Sequence, residues 1–139
     1  MKNETMVSGL SVLILRITLS GIFISAGISH LLLPAKVAGR IENAVFKEFA
    51  YSFGDPYLLG ILTGYVLLIF GIMFLLGIFT RWSALILFLV LIPITITIQM
   101  GNGLNHGPLW KNIALFGGLL FFILNNPGSF NLYNKTLKV

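Results

Sequence analysis

The sequence predicts an all-α membrane protein, a bundle of four transmembrane helices with an interfacial amphipathic helix between spans one and two. Hydrophobic residues make up 57% of the 139 residues and charged residues only 9%, whereas about 25% of an ordinary soluble domain is charged. Four apolar stretches are long enough to cross the roughly 30 Å hydrocarbon layer as helices, at about 9–33, 56–79, 82–100 and 109–124. We therefore interpret 1–139 as a single integral membrane domain.

The first span, GLSVLILRITLSGIFISAGISHLLL, carries an arginine and a histidine that membrane crossing alone does not require. Helical periodicity places its small and polar residues on one side, namely Gly9, Arg16, Ser20, Gly27 and His30. Such a stripe is typical of a surface that faces other helices. Arg16 has two interpretations, burial against a partner helix or snorkelling to the head groups. The apolar run exceeds the 7–15 residues of a signal peptide, so we expect this helix to be retained.

The connector after Pro34 has both charge signs and one apolar side. On a helical wheel an apolar face lies opposite a polar one; the apolar residues are Val37, Ala38, Ile41, Val45 and Phe49, and the polar ones Lys36, Arg40, Asn43 and Lys47. This pattern predicts an interfacial helix over 35–50. It would serve either as a lid over the bundle or as a packed connector.

The second span follows Asp55 and Pro56, with proline suited to the first helical turn. Glycines recur on one of its faces and predict close helix packing; they are Gly60, Gly64 and Gly71. Thr80-Arg81-Trp82 is then expected to form a tight connector at a membrane interface.

The third span contains Pro93 and ends in ITITIQM. The alternation is strand-like, but an isolated strand would leave its backbone unpaired in lipid, so a helix is expected. Thr95 and Thr97 have a structural explanation, since threonine hydroxyls bond to the preceding turn. Gln99 has none. The loop GNGLNHGPLWKN then predicts an irregular turn before the fourth span.

Four crossings place the end of span one, the start of span two, the end of span three and the start of span four on one side of the membrane. Polar residues collect there: His30, Asp55, Gln99, Asn102, His106, Lys111 and Asn112. Such a cluster would suit an anion, a quinone head group or a partner protein, or it would simply be solvated loop. Arg16 lies about 21 Å from His30 along the helix, so the two cannot hold one small ligand, although both could line one cavity.

Composition excludes several classes of function. The net charge is +5, but the basic residues are dispersed without a basic patch, which argues against nucleic-acid binding. The chain has no cysteine, so it cannot perform thiol–disulfide exchange itself. Two histidines without a third ligand do not predict a metal site.

Two segments, LRITLSGIFISAGISHLLLP and HGPLWKNIALFGGLLFFIL, resemble the DoxX family of small bacterial membrane proteins. The family pattern has an arginine opening span one, an A-G pair, and a K-N pair opening the last helix. The matching positions here are Arg16, Ala26, Gly27, Lys111, Asn112, Gly117 and Gly118. His30 stands where many members have lysine. Relatives include a subunit of a thiosulfate:quinone oxidoreductase and membrane proteins associated with thiol and oxidative-stress systems. The family is also similar to proteins that assist maturation of a periplasmic amine dehydrogenase. The resemblance implies a role in membrane redox chemistry.

The leading hypothesis is an integral membrane subunit or accessory of a redox system that binds a quinone or docks a redox partner. The alternatives are a non-catalytic scaffold or assembly factor and, less favoured for a four-span chain without repeats, a small-solute or anion transporter. The candidate ligand-binding residues are Arg16, Ser20, Gly27, His30, Gln99, His106, Lys111 and Asn112. The candidate helix-packing residues are Gly60, Gly64, Gly71, Gly117 and Gly118.

The expected environment is the bacterial cytoplasmic membrane, with the lipid bilayer as the main partner and homo-oligomers allowed. The two sides carry equal numbers of Lys and Arg, Lys36, Arg40, Lys47 and Lys111 against Lys2, Arg81, Lys135 and Lys138. The positive-inside rule therefore gives a tie. Acidic residues balance the first set, Glu42, Glu48 and Asp55, so cytoplasmic termini are expected.

Overall fold

A computed structural model describes residues 4–132, and these residues form an all-helical bundle. Lys2, Lys135 and Lys138, which contribute to the predicted orientation, lie outside this range. The helices are α1 (Gly9–Leu32), α2 (Pro34–Glu42), α3 (Lys47–Tyr51), α4 (Pro56–Leu76), α5 (Thr80–Ile94) and α6 (Gly107–Asn125). A π-helical turn (Thr95–Gln99) and a 3₁₀ turn (Met100–Asn102) extend α5.

The four predicted spans are confirmed, because four helical stretches within residues 4–132 are long and apolar enough to cross a membrane. They are Gly9–Leu32, Pro56–Leu76, Thr80–Asn102 and Gly107–Asn125. The first packs most extensively on the second, and the third packs on both the second and the fourth. Leucine and phenylalanine side chains fill the core, where the rings of Phe74 and Phe122 meet edge to face with centroids 4.8 Å apart.

The turn between the second and third spans was predicted three residues too late. α4 ends at Leu76, the next residue Gly77 adopts a left-handed conformation (φ 71°), and Ile78 N–H donates to Met73 O at 2.8 Å. Glycine takes this conformation without the steric cost of a side chain, so it terminates the helix. Thr80, Arg81 and Trp82 consequently form the first turn of α5 and not the connector.

The connector after α1 is two short helices and not the single helix predicted over 35–50. The Asn43 side chain donates to Gly39 O at 2.8 Å, a local bond of the kind that competes with helix continuation. Ala38 and Ile41 are buried as the periodicity predicts, but Val45, beyond the break, is 69% exposed. Because the break resets the helical phase, the apolar face does not continue to Phe49.

Small residues set the separation of the packed spans. A methyl group at Gly27 would lie 2.7 Å from Leu68 N, and one at Gly64 would lie 2.9 Å from His30 Cβ. Similar close approaches occur at three other glycines, Gly60 against Val37, Gly71 against Ile24 and Gly118 against Leu19. Gly117 was also predicted to be a packing residue, but a methyl group there would meet nothing within 4 Å. The reason is that adjacent residues of a helix point about 100° apart, so Gly117 faces away from the contact made by Gly118.

Candidate functional site

A cavity of about 430 Å³ lies at the end of the bundle where the four predicted span ends meet. α1, α4, α5 with its π-helical turn, and α6 all contribute to its walls, and α2 and α3 lie across it. Its polar lining residues are His30, Arg40, Thr63, Thr97, Gln99, Lys111 and Asn112. Four of the sequence-predicted site residues therefore line one space: His30, Gln99, Lys111 and Asn112.

A histidine and a threonine form the wall contributed by α1 and α4. His30 Nδ1 lies 3.0 Å from Thr63 Oγ1, and the Thr63 hydroxyl donates to Leu59 O at 2.7 Å. Because a hydroxyl has one proton, we assign Nδ1–H as the donor to Thr63. For a neutral ring, this assignment makes His30 Nε2 an acceptor.

A glutamine and a histidine form a second polar pair at the end of the third span. His106 Nε2 lies 2.8 Å from Gln99 Oε1, so the imidazole N–H donates to the amide oxygen. This bond orients the Gln99 side chain and leaves its NH₂ group available as a donor. His106 does not line the cavity; it positions a residue that does.

The π-helical turn presents one further polar group that sequence reasoning assigned to backbone bonding. Thr97 lines the cavity and is 4% exposed, yet its hydroxyl has no partner among residues 4–132. Thr95 behaves as predicted and donates to Leu91 O at 2.7 Å. The two threonines therefore differ, with Thr95 serving the helix and Thr97 available to the cavity.

Apolar side chains form the rest of the cavity wall, including Phe23, Ala26, Leu67, Leu91 and Leu115. The lining of α1 extends from His30 to Ile22, which at about 1.5 Å per residue is roughly 12 Å of depth along the bundle. Two residues at the deeper level are also exposed on the bundle surface, Ile22 at 38% and Leu89 at 54%. The cavity thus combines a polar end with an apolar interior that reaches the surface facing lipid.

Arg16 is buried at 1% exposure, so it does not snorkel. Its guanidinium donates to Ser129 O at 3.2 Å, to Phe130 O at 2.7 Å and to the Asn131 side chain. It does not line the cavity. At the far end of α1 the C-terminal segment accepts from its Nη1 and Nη2 groups, and its buried Nε–H has no partner within residues 4–132. The expectation that Arg16 and His30 line one cavity is therefore wrong, because only His30 lines it.

The remaining candidates from the sequence lie outside the cavity. Ser20 is buried and donates to Arg16 O at 2.6 Å, and Gly27 contacts the backbone of α4. Asp55 caps α4 by accepting from Leu58 N at 3.1 Å, and Asn102 donates to Ile98 O at 2.9 Å. All four have local structural roles.

Sequence reasoning missed Thr63 and Arg40 as site residues. Thr63 sits between Gly60 and Gly64 in a span whose helical face was interpreted only as a packing surface. Arg40 lies on the polar face predicted for the connector, and no ligand-binding role was predicted for that face. The position of both residues along the chain could have identified them, since both lie toward the side of the membrane where the other polar residues collect.

No cluster of three or more metal-ligating side chains occurs among the described residues 4–132.

In a comparison with protein families, the DoxX family model matches residues 11–100. The chain belongs to the DoxX family. The DoxX match spans the first three membrane helices and ends before α6, so the Lys111–Asn112 pair lies beyond it. No curated protein and no solved structure is significantly similar to the chain.

Proposed function

We propose that this DoxX protein is an accessory of a membrane redox system and that its cavity binds a quinone. The observation that supports this proposal most directly is the cavity itself, about 430 Å³, with an apolar interior and hydrogen-bonding groups at one end. Small-molecule sites are typically 300–1,000 Å³, mostly apolar, with a few placed polar groups. A quinone has the matching shape, a ring with two carbonyl oxygens and an apolar chain.

The residues present fit both forms of such a ligand. A quinone carbonyl accepts hydrogen bonds, and the Gln99 NH₂ group is a donor. A quinol hydroxyl donates hydrogen bonds, and His30 Nε2 is an acceptor in the assigned tautomer. The Thr97 hydroxyl can do either, because it has no protein partner within residues 4–132.

A bound quinone would supply two-electron, two-proton chemistry, and the chain itself would supply binding, orientation and proton-accepting groups. Gln99, oriented by His106, would fix the position of the ring. His30 would hold a proton at Nε2 while Thr63 keeps Nδ1–H in place. The apolar wall would exclude water from the ring, and the surface at Ile22 and Leu89 would let the chain reach the lipid.

The cellular setting is part of the same proposal. A redox accessory would act in the bacterial cytoplasmic membrane beside a redox subunit, as in the relatives that the sequence resembles. Four crossings place both termini on one side of the membrane, which would be the cytoplasmic side. The polar end of the cavity lies at the end of the first span, so it would face the opposite side. A homo-oligomer is compatible with this arrangement.

Quinone content of the purified protein tests the proposal. The protein would be purified in mild detergent from a membrane containing quinone, and bound quinone would be extracted and quantified by chromatography. We expect up to one quinone per chain, reduced by Gln99→Ala and by Thr97→Val. Asn102→Ala is the matched control, since Asn102 lies at the same end of the bundle but outside the cavity. Absence of quinone both in the purified protein and after titration with added quinone would contradict the proposal.

A scaffold or assembly role is the second candidate, favoured by the contacts of Arg16. This intramembrane charge bonds only to the protein's own C-terminal segment among the described residues. If scaffold assembly were the function, Arg16→Met would abolish co-purification of a membrane partner, whereas His30→Ala would leave it unchanged. Loss of co-purification in His30→Ala but not in Arg16→Met would favour ligand binding in the cavity as the function.

A further inference from the structure

Two cationic side chains line the cavity from different elements. Arg40 belongs to α2 and Lys111 to α6. Neither forms a hydrogen bond or an ion pair within residues 4–132. Both are exposed, which places them at the mouth of the cavity. The mouth therefore carries two positive charges that the described part of the protein leaves unpaired.

Within the described part of the chain, the cavity lining contains no acidic side chain. The carboxylates of the neighbouring helices, Glu42 and Glu48, do not line it and pair with neither cation. Cationic residues without a counter-ion attract anions, and basic pockets between transmembrane helices are known to bind acidic lipid head groups. A neutral quinone would not satisfy these charges, so they indicate a second ligand chemistry.

The shape of the cavity favours an amphiphile as that ligand. Behind the two cations lies the apolar wall that extends about 12 Å along α1 to Ile22. A free anion would leave this wall without a contact. A molecule with an acidic head and an apolar chain would use both regions.

We propose that Arg40 and Lys111 bind the phosphate head group of an acidic lipid whose chain packs along the apolar wall of the cavity. This inference does not depend on quinone binding. If both ligands bind, they share the apolar wall, and each weakens the binding of the other. Acidic lipid at the mouth would then regulate occupancy of the deeper part of the site.

Lipid binding by the intact protein tests the inference. Phosphatidylglycerol and phosphatidylcholine with identical chains would be titrated onto the detergent-solubilised protein and counted by native mass spectrometry. We expect one tightly bound phosphatidylglycerol, preferred over phosphatidylcholine. A cation near an anionic membrane surface contributes about a five-fold attraction, and we take this value as the lower bound for a cation that contacts the head group directly. Arg40→Gln and Lys111→Gln should therefore each weaken binding at least five-fold, and the double variant at least about 25-fold.

Matched variants distinguish a specific lipid site from a general attraction of the positively charged protein for anionic lipid. Lys36→Gln and Lys47→Gln remove the same charge from the connector, but these residues do not line the cavity, so we expect less than a two-fold effect. Arg40→Lys preserves the charge and should retain the preference, which covers the case in which Arg40→Gln does not fold. An equal loss in Lys36→Gln would overturn the inference, and so would inorganic phosphate binding as tightly as the lipid.

The two proposals fail separately. Thr97→Val should lower quinone content without altering the preference for phosphatidylglycerol, whereas Arg40→Gln should alter the lipid preference and leave binding of added quinone intact in lipid-free detergent. Loss of both ligands in Arg40→Gln, in protein that elutes normally from a sizing column, would contradict the assignment of Arg40 to the lipid head group alone.

Discussion

Asn112 on α6 donates a 2.9 Å hydrogen bond to Thr95 on the π-helical turn, and both residues are buried. The bond joins the third and fourth spans beside the cavity. Thr95 donates its one hydroxyl proton to Leu91 O, so the same oxygen is free to accept from Asn112. This contact explains why an asparagine is tolerated inside the fourth span.

Removing either partner should destabilise the bundle modestly. Thr95→Val leaves the Asn112 amide without its acceptor, and interhelical hydrogen bonds in membrane proteins contribute on average about 0.6 kcal/mol, with a maximum of about 1.7 kcal/mol. We expect a loss of this size, measured by unfolding in a denaturing detergent. In the double variant Asn112→Leu, Thr95→Val the loss should be smaller than the sum of the single losses. Strict additivity would show that the two side chains are not coupled.

The glycines of the spans should tolerate alanine very unequally. At Gly27 a methyl group would lie 2.7 Å from the α4 backbone at Leu68, which cannot move aside without shifting the helix. Gly27→Ala should therefore lower the midpoint of thermal unfolding. Gly117→Ala meets open space, and because alanine is the better helix former by about 1 kcal/mol, it should be neutral or stabilising. Fluorescence-detected sizing after heating measures both, and a tolerated Gly27→Ala would refute the close packing of α1 on α4.

Arg16 should hold the C-terminal segment against the bundle. Arg16→Met removes the donors to Ser129 O, Phe130 O and the Asn131 side chain. In the cysteine-free chain, a single cysteine introduced at Ser129 reports on this segment. We expect maleimide labelling at that cysteine to accelerate at least ten-fold. The exposed Arg81→Met is the charge-matched control, and equal acceleration in it would argue against a specific clasp.

Filling the cavity should displace its ligand. Ala26 lines the cavity on α1, and Ala26→Leu adds three carbon atoms to that space. We expect the quinone recovered per chain to fall several-fold while the sizing profile stays normal. Ala35→Leu adds the same volume at an exposed position of α2 outside the cavity and should change nothing. Unchanged quinone in Ala26→Leu would locate the ligand elsewhere.

The spans were predictable from the sequence because hydropathy and length are local properties. The number of crossings then determined which helix ends are neighbours, so His30, Gln99, Lys111 and Asn112 could be grouped without knowledge of any contact. The family resemblance was confirmed over residues 11–100. These predictions required only the composition, the helical periodicity and the even number of membrane crossings.

The remaining features depend on contacts that the sequence does not encode locally. The acceptors of Arg16 lie more than 110 positions away, in the segment that follows the last helix. The break in the connector at Asn43 is accompanied by one side-chain hydrogen bond. The single amphipathic helix predicted over 35–50 was consequently wrong beyond Glu42. Thr63 became a site residue only because α1 and α4 approach closely through Gly64, which places His30 beside it.

Four span ends meet at one side of the membrane and form the cavity, and sided labelling tests this placement most directly. Single cysteines would replace Arg40, Lys111 and Arg81 in the cysteine-free chain and react with a membrane-impermeant maleimide in oriented vesicles. We predict labelling of Arg40→Cys and Lys111→Cys from the same side, and of Arg81→Cys from the opposite side. Labelling of Arg40→Cys and Lys111→Cys from opposite sides would contradict the shared cavity.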